Sequence, residues 1–341
     1  MRWQVVKNML GSGWLGLSFR FNRTAKEFYR MCFLARAGDL GLLRLLARGP
    51  MTPAEAASSL GLEPGQLPAL EAFLDMGVAV GELRPVRGGH ALKGRLAKSL
   101  AEPGNDAWQA LASEIARLHA PCMLAAPGDA RARTELGALT VSLSSVIARS
   151  SRVLEPLMRA VVTEVVPERG PCSLLEVGCG SGVYVLAALE RNPELTVTAL
   201  EREEDVFLDA QERIARSGHA GRCRMVHGDV RSQHFDPQFD CITLYNNIYY
   251  FPESERTGVL ATLRSWLKPG GRLALTTICH GGGPMSRMMM LWSRISEGAG
   301  SLPEAGALAE SLRRAGFERV RSITPVAGES FTLFLAGERP V

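Results

Sequence analysis

Apolar positions recur along this chain with two periods, and the change from one to the other divides it. Between residues 38 and 80 the spacing is helical. Leu40, Leu42, Leu43, Leu45 and Leu46 predict a helix stopped by Gly49-Pro50. Thr52 then stands as an N-cap, with Pro53 first in the helix and Glu55 completing a capping box. That helix runs over 54–60 and ends at Gly61. A third, over 64–76, turns Leu67, Leu70, Phe73 and Leu74 inward and ends at Gly77. Residues 78–83 and 90–92 read as two strands joined across 84–89, which completes a winged-helix pattern. Helix is also expected over 101–133, broken at Pro121 and Pro127. One long helix is expected over 139–166, carrying Val146, Ile147, Val153, Leu154, Leu157 and Met158.

Beyond residue 170 short apolar runs alternate with helical stretches, the rhythm of a parallel α/β sheet. Strands are expected at 173–175, 196–200, 223–226, 239–244 and 273–279. The runs 320–326 and 331–336 form a closing hairpin, giving seven strands. The expected organisation is a helical, winged-helix-like region over 1–138 with an arm over 1–37. A linker helix over 139–168 leads to an α/β domain over 169–341.

Composition narrows the partners. The 341 residues are 46% hydrophobic and 22% charged, ordinary for a globular protein. A net charge of +4 is too small to require nucleic acid. The third helix of the winged pattern offers Gln66, Glu71 and Asp75 but no Lys or Arg, so its carboxylates would meet phosphates. Seven scattered cysteines without a C-x-x-C pair indicate reduced thiols in a cytoplasmic protein and no metal site. The N-terminal stretch holding Met9, Leu10, Trp14, Leu15 and Leu17 is too short and too interrupted to span a membrane. Trp3, Trp14, Phe19 and Phe21 among basic residues suit a membrane surface or, more simply, a partner subunit.

The chemistry concentrates at 174–184, Leu-Leu-Glu-Val-Gly-Cys-Gly-Ser-Gly-Val-Tyr. A buried strand ends in Glu176 and in three alternate glycines, Gly178, Gly180 and Gly182, before a helix begins. A dinucleotide turn would carry its third glycine at 183, where Val183 stands. Glu201 ends the second strand 23 residues after Gly178, the separation at which a carboxylate can accept from both ribose hydroxyls. Asp229-Val230 follow the third strand, Asn246 the fourth, and a Lys268-Pro269-Gly270-Gly271 turn is expected before the fifth.

This series resembles the class I S-adenosylmethionine (SAM) dependent methyltransferases. The resemblance implies that Glu176, Gly178, Gly180 and Gly182 hold the methionine end of SAM, Glu201 the ribose, and Asp229 with Val230 the adenine. With the winged-helix-like region before it, the chain is similar to plant-type and bacterial small-molecule O-methyltransferases. That family implies a homodimer formed through the N-terminal region and a small, apolar acceptor. In the family a histidine after the fourth strand deprotonates the acceptor; here Tyr249 occupies its place. A phenol of pKa about 10 is a poor base at neutral pH. Three explanations stay open. The acceptor supplies its own nucleophile, with Tyr249 and Asn246 orienting it; or His280, after the fifth strand, is the base; or the protein binds SAM without catalysis. His119, His219 and His234 have weaker claims. Transfer to carbon or nitrogen is the alternative to oxygen. The methionines of 284–292 are expected to be partly core and partly acceptor wall.

Overall fold

The computed structural model describes residues 14–297 and 300–337, with Trp3, Lys7, Asn8 and Gly11. Met9 and Leu10 of the apolar N-terminal stretch lie outside the described residues. Two compact units emerge, Met1–Ala125 with Ala138–Val153, and Ala126–Gly137 with Leu154–Val341. Among the described residues no helix is long and apolar enough to cross a membrane.

The first unit holds the helices Trp14–Asp39, Leu42–Ala47, Pro53–Ser59 and Leu67–Val80, then antiparallel β1 (Leu83–Val86) and β2 (Gly89–Leu92). The capping box forms as expected. Thr52 Oγ1 accepts from the Glu55 amide at 3.2 Å, and Glu55 Oε2 accepts from the Thr52 amide at 2.7 Å. Gly77, expected as a stop, lies inside a helix that continues to Val80 and ends at left-handed Gly81. Its role is steric: a Cβ there would stand 2.5 Å from the Phe33 ring and 2.8 Å from Leu83 Cδ1. The first wing strand therefore starts at Leu83, and its turn shrinks to Arg87-Gly88. Phe33, Leu42, Leu74 and Leu83 centre the core.

Two helical expectations are corrected. Pro121 interrupts nothing, because a π-helical turn, Ile115–His119, precedes it and leads into Ala120–Ala125. A wider turn removes the clash of the ring with the carbonyl four residues back. The single helix over 139–166 is instead Ala130–Ser142, Ser144–Ser150, a 3-10 turn Ser151–Leu154 and Glu155–Val165. Pro156 occupies the first turn of the last piece, the only part of a helix where its missing N–H is harmless.

In the second unit β3 (Cys172–Val177), β4 (Leu195–Glu201), β5 (Cys223–His227), β6 (Phe239–Tyr245), β7 (Leu267–Ile278), β8 (Arg321–Ile323) and β9 (Phe331–Gly337) form one sheet. Its order is β5-β4-β3-β6-β7-β9-β8. The first five strands run parallel; β9 is antiparallel to both β7 and β8. The Lys-Pro-Gly-Gly segment is no separate turn but a bulge within β7. Phe239 pairs with Leu267 and Cys241 already with Arg272. Gly270, at φ 77°, makes the bend possible. Each face of the sheet is buried, one around Leu175, Val177, Leu244 and Trp266, the other around Met158, Leu174, Val185 and Tyr245. From central β3 the chain steps outward to β4 and β5, then crosses to β6 and β7. The crevice at the carboxyl ends of β3 and β6 is thus a topological switch point, where ligands of such sheets bind.

Candidate cofactor site and acceptor face

Glu176 is the penultimate residue of β3 and is only 2% exposed. Its Oε2 has no hydrogen-bond partner among the described residues. Burial pushes its carboxyl up to about 8. A buried carboxyl without a donor is expensive unless something else satisfies it. A cationic donor is the complement.

The turn after it bends through left-handed conformations at Gly178, Gly180 and Gly182, with φ of 66°, 53° and 73°. Only glycine enters this region without strain. At Gly178 there is a second reason: a Cβ would fall 2.2 Å from Nδ2 of Asn247. That amide donates to the carbonyls of Val177 at 2.9 Å and Gly178 at 3.0 Å, tying the end of β6 to the turn. Sequence reasoning passed over Asn247. Its signal was an Asn-Asn pair at a strand end, where a side-chain amide can satisfy loop carbonyls.

Glu201 is 8% exposed and is held from three sides by backbone. Oε2 accepts from the Gly180 amide at 2.9 Å; Oε1 accepts from the amides of Arg202 at 2.9 Å and Glu203 at 3.1 Å. The expected spacing therefore brings Glu201 onto the glycine turn itself. A carboxylate fixed this way is preorganised to receive further hydroxyl donors.

Asp229 is engaged by its own turn. Its Oδ1 accepts from the Arg231 amide at 2.8 Å and from Arg231 Nε at 3.1 Å. Burial opposes its ionisation, but these Arg231 donors prevail and hold the carboxyl below the usual range. Val230 is buried, with its side chain in the core beside Val177 and Leu200. Asn246 is the one described non-glycine residue with positive φ, 54°. Its amide donates to Thr276 O at 2.8 Å and its Nδ2 faces Met158 Sδ at 4.0 Å.

The acceptor candidates separate. Tyr249 lies half-buried on the turn Ile248–Tyr250, its ring 4.6 Å from that of Tyr250. Burial, reinforced by Tyr250, raises its phenol well above the ordinary value. It stays protonated at any working pH and can donate a hydrogen bond. His280 follows β7; its Nδ1 lies 3.5 Å from Glu304 Oε1, and its backbone amide donates to Pro303 O at 2.9 Å. His219 Nδ1 accepts from Arg222 Nη2 at 3.0 Å. His119 is buried in the first unit, 3.1 Å from Glu114 Oε1. The helix Pro284–Ile295 buries Met288 and Ile295 while Met285, Met289 and Trp292 stay at least partly open on one stripe. Among the described residues no three His, Cys, Asp or Glu side chains converge as a metal site, and all seven cysteines are free.

Residues 174–271 match the family model of a methyltransferase domain. The demethylspheroidene O-methyltransferase of Cereibacter sphaeroides is 26% identical over 321 residues, covering 89% of this chain and 83% of the relative. The L-tyrosine C(3)-methyltransferase of Streptomyces lavendulae is 24% identical over 161 residues, 46% of this chain and 44% of the relative. Among solved structures, mitomycin 7-O-methyltransferase superposes with a TM-score of 0.77 at 18% identity, over 96% of this chain and 99% of that one. Human N-acetylserotonin methyltransferase in complex with SAM superposes at 0.73 and 18% identity, over 94% and 97%. These two likenesses establish the fold, a helical N-terminal region followed by the seven-stranded sheet.

Proposed function

The chain is a SAM-dependent methyltransferase, and we propose that it methylates a small, largely apolar acceptor, most simply at a hydroxyl or carboxylate oxygen. The observation that carries the cofactor half of this reading is the buried Glu176 beside the glycine turn, whose Oε2 has no hydrogen-bond partner among the described residues. It fits the cationic aminoacyl end of SAM and would be costly without it. Glu201 would receive both ribose hydroxyls, while Asp229 and Val230 border the adenine. Gly178, Gly180 and Gly182 let the backbone come against the ligand.

When bound, SAM supplies a methyl group on a sulfonium centre open to displacement. This chain's own residues then have to align the acceptor, exclude water and account for one proton. Alignment and desolvation alone supply roughly 7–11 kcal/mol of a displacement barrier. Tyr249, always protonated, would donate a hydrogen bond to the acceptor oxygen rather than remove its proton. The acceptor then arrives already anionic. The half-open stripe Met285, Met289 and Trp292 supplies an adaptable apolar wall. The Cereibacter relative, which aligns over most of the chain, supports oxygen as the acceptor atom. The lack of a base at Tyr249 favours a second reading, transfer to carbon, for which the tyrosine C(3)-methyltransferase is the parallel. The exposed apolar stripe Trp14, Leu17, Phe21 and Phe28 on the first long helix fits a second copy of the chain, consistent with a homodimer.

Turnover of labelled methyl groups with apolar phenols and carboxylic acids tests the proposal, with product NMR distinguishing methoxy from carbon-bound methyl. His280→Ala is expected to retain at least about a third of kcat/KM, and Tyr249→Phe to lose about tenfold. A loss of more than about a thousandfold in His280→Ala, with the acidic limb of the pH profile gone, would make His280 the base. It would end the idea that the acceptor brings its own charge.

A further inference from the structure

Glu176 is not alone in lacking a partner. The phenol oxygen of Tyr245, at the end of β6, is also buried with no hydrogen bond among the described residues, and Tyr245 is 6% exposed. The two belong to one place. In the β3–β6 register Glu176 pairs with Thr243, so Tyr245, two residues on, projects from the same face of the sheet. That is the face packed around Leu174 and Val185. Tyr184, in the first turn of the helix Val183–Arg191, completes the group, its ring meeting that of Tyr245 edge-on at 5.8 Å. Burial and then the charge of Glu176 raise both phenols, Tyr184 to about 12, so the three groups share one electrostatic neighbourhood.

Glu176 and Tyr245 do not bond to each other. One offers a carboxyl oxygen and the other a phenol oxygen, neither with a donor, and a cation arriving at Glu176 would draw its carboxyl into the ionised form. A primary ammonium has three N–H donors and no acceptor, so it can give one to each. A sulfonium has none. We propose that Tyr245 is a positioning residue: its phenol oxygen and the Glu176 carboxylate together receive the ammonium of the cofactor's aminoacyl end, and Tyr184 walls the subsite. The inference rests on the SAM reading above and adds the residue that orients the aminoacyl arm. Fixing that arm fixes the direction in which the methyl group points.

The test titrates wild type and Tyr245→Phe calorimetrically with two probes. S-adenosylhomocysteine keeps the ammonium; 5′-methylthioadenosine has the same nucleoside and thioether but no aminoacyl arm. Tyr245→Phe is expected to weaken S-adenosylhomocysteine about tenfold and to leave 5′-methylthioadenosine within about twofold. The ligand-free melting temperature should stay level or rise, because the variant removes a buried hydroxyl that had no partner. Equal losses on both probes would make Tyr245 a structural residue. Undiminished affinity for S-adenosylhomocysteine would mean that water, not the ammonium, fills the gap. Either result overturns the assignment. If wild type binds 5′-methylthioadenosine but not S-adenosylhomocysteine, the aminoacyl subsite is elsewhere; if it binds neither, the SAM reading itself fails.

Discussion

Glu201→Ala is expected to remove SAM binding and to loosen the fold around it. In the wild type one carboxylate accepts from the amides of Gly180, Arg202 and Glu203. Hydrogen bonds to a charged acceptor contribute roughly 1.5–3 kcal/mol each, less when they share one group. Truncation leaves three N–H groups without that acceptor at a buried position, so a stability loss of about 3–5 kcal/mol is expected, read as a fall in melting temperature. The ribose contacts we propose for Glu201 would go with it, and affinity for SAM should then drop at least about a hundredfold. Glu201→Gln separates the two effects. Its one accepting oxygen can still take the amides of Arg202 and Glu203, while its NH2 cannot accept from Gly180, so stability should return in part while affinity stays low. Unaltered affinity in Glu201→Ala would place the ribose elsewhere.

The second large effect has the opposite sign on stability. Glu176→Gln should make the ligand-free protein more stable at alkaline pH while weakening its hold on SAM. The carboxyl has an ordinary value of 4.5 and is pushed up to about 8 by burial. Below pH 4.5 it is neutral in folded and unfolded chains alike. Between pH 4.5 and 8 the unfolded chain ionises and the folded one resists, so wild-type stability declines through this window and levels off above it. The decline amounts to roughly 3–5 kcal/mol. Glutamine does not titrate, so the melting-temperature advantage of the variant should grow from pH 5 to pH 8.5. Its affinity for SAM should meanwhile fall roughly 10- to 100-fold, for want of a charge opposite the ammonium. A constant difference across pH would mean that Glu176 ionises freely, and its part in the site would go.

What the sequence disclosed about this site is what local chemistry encodes. Three alternate glycines after a buried strand must bend left-handed, and the structure places all three there. An acid 23 residues later returns to the same turn because β4 pairs beside β3. Thr52 and Glu55 cap a helix through contacts within four residues. The parts that stayed hidden depend on contacts between distant segments. Gly77 read as a helix stop because nothing nearby announces that the Phe33 ring needs its missing Cβ. Tyr245 falls just past the strand expected at 239–244; only the β3–β6 register shows that it shares a face of the sheet with Glu176. Asn247 was invisible for the same reason. Lys-Pro-Gly-Gly looked like a turn, yet the pairing of β7 with β6 absorbs it as a bulge.

Calorimetric titration of the wild-type protein with SAM, S-adenosylhomocysteine and NADH tests the central claim most directly. Micromolar binding of the first two with no heat from NADH is the predicted result. Binding of NADH without SAM would contradict the account, because it would mean that the glycine turn and Glu201 serve a dinucleotide after all.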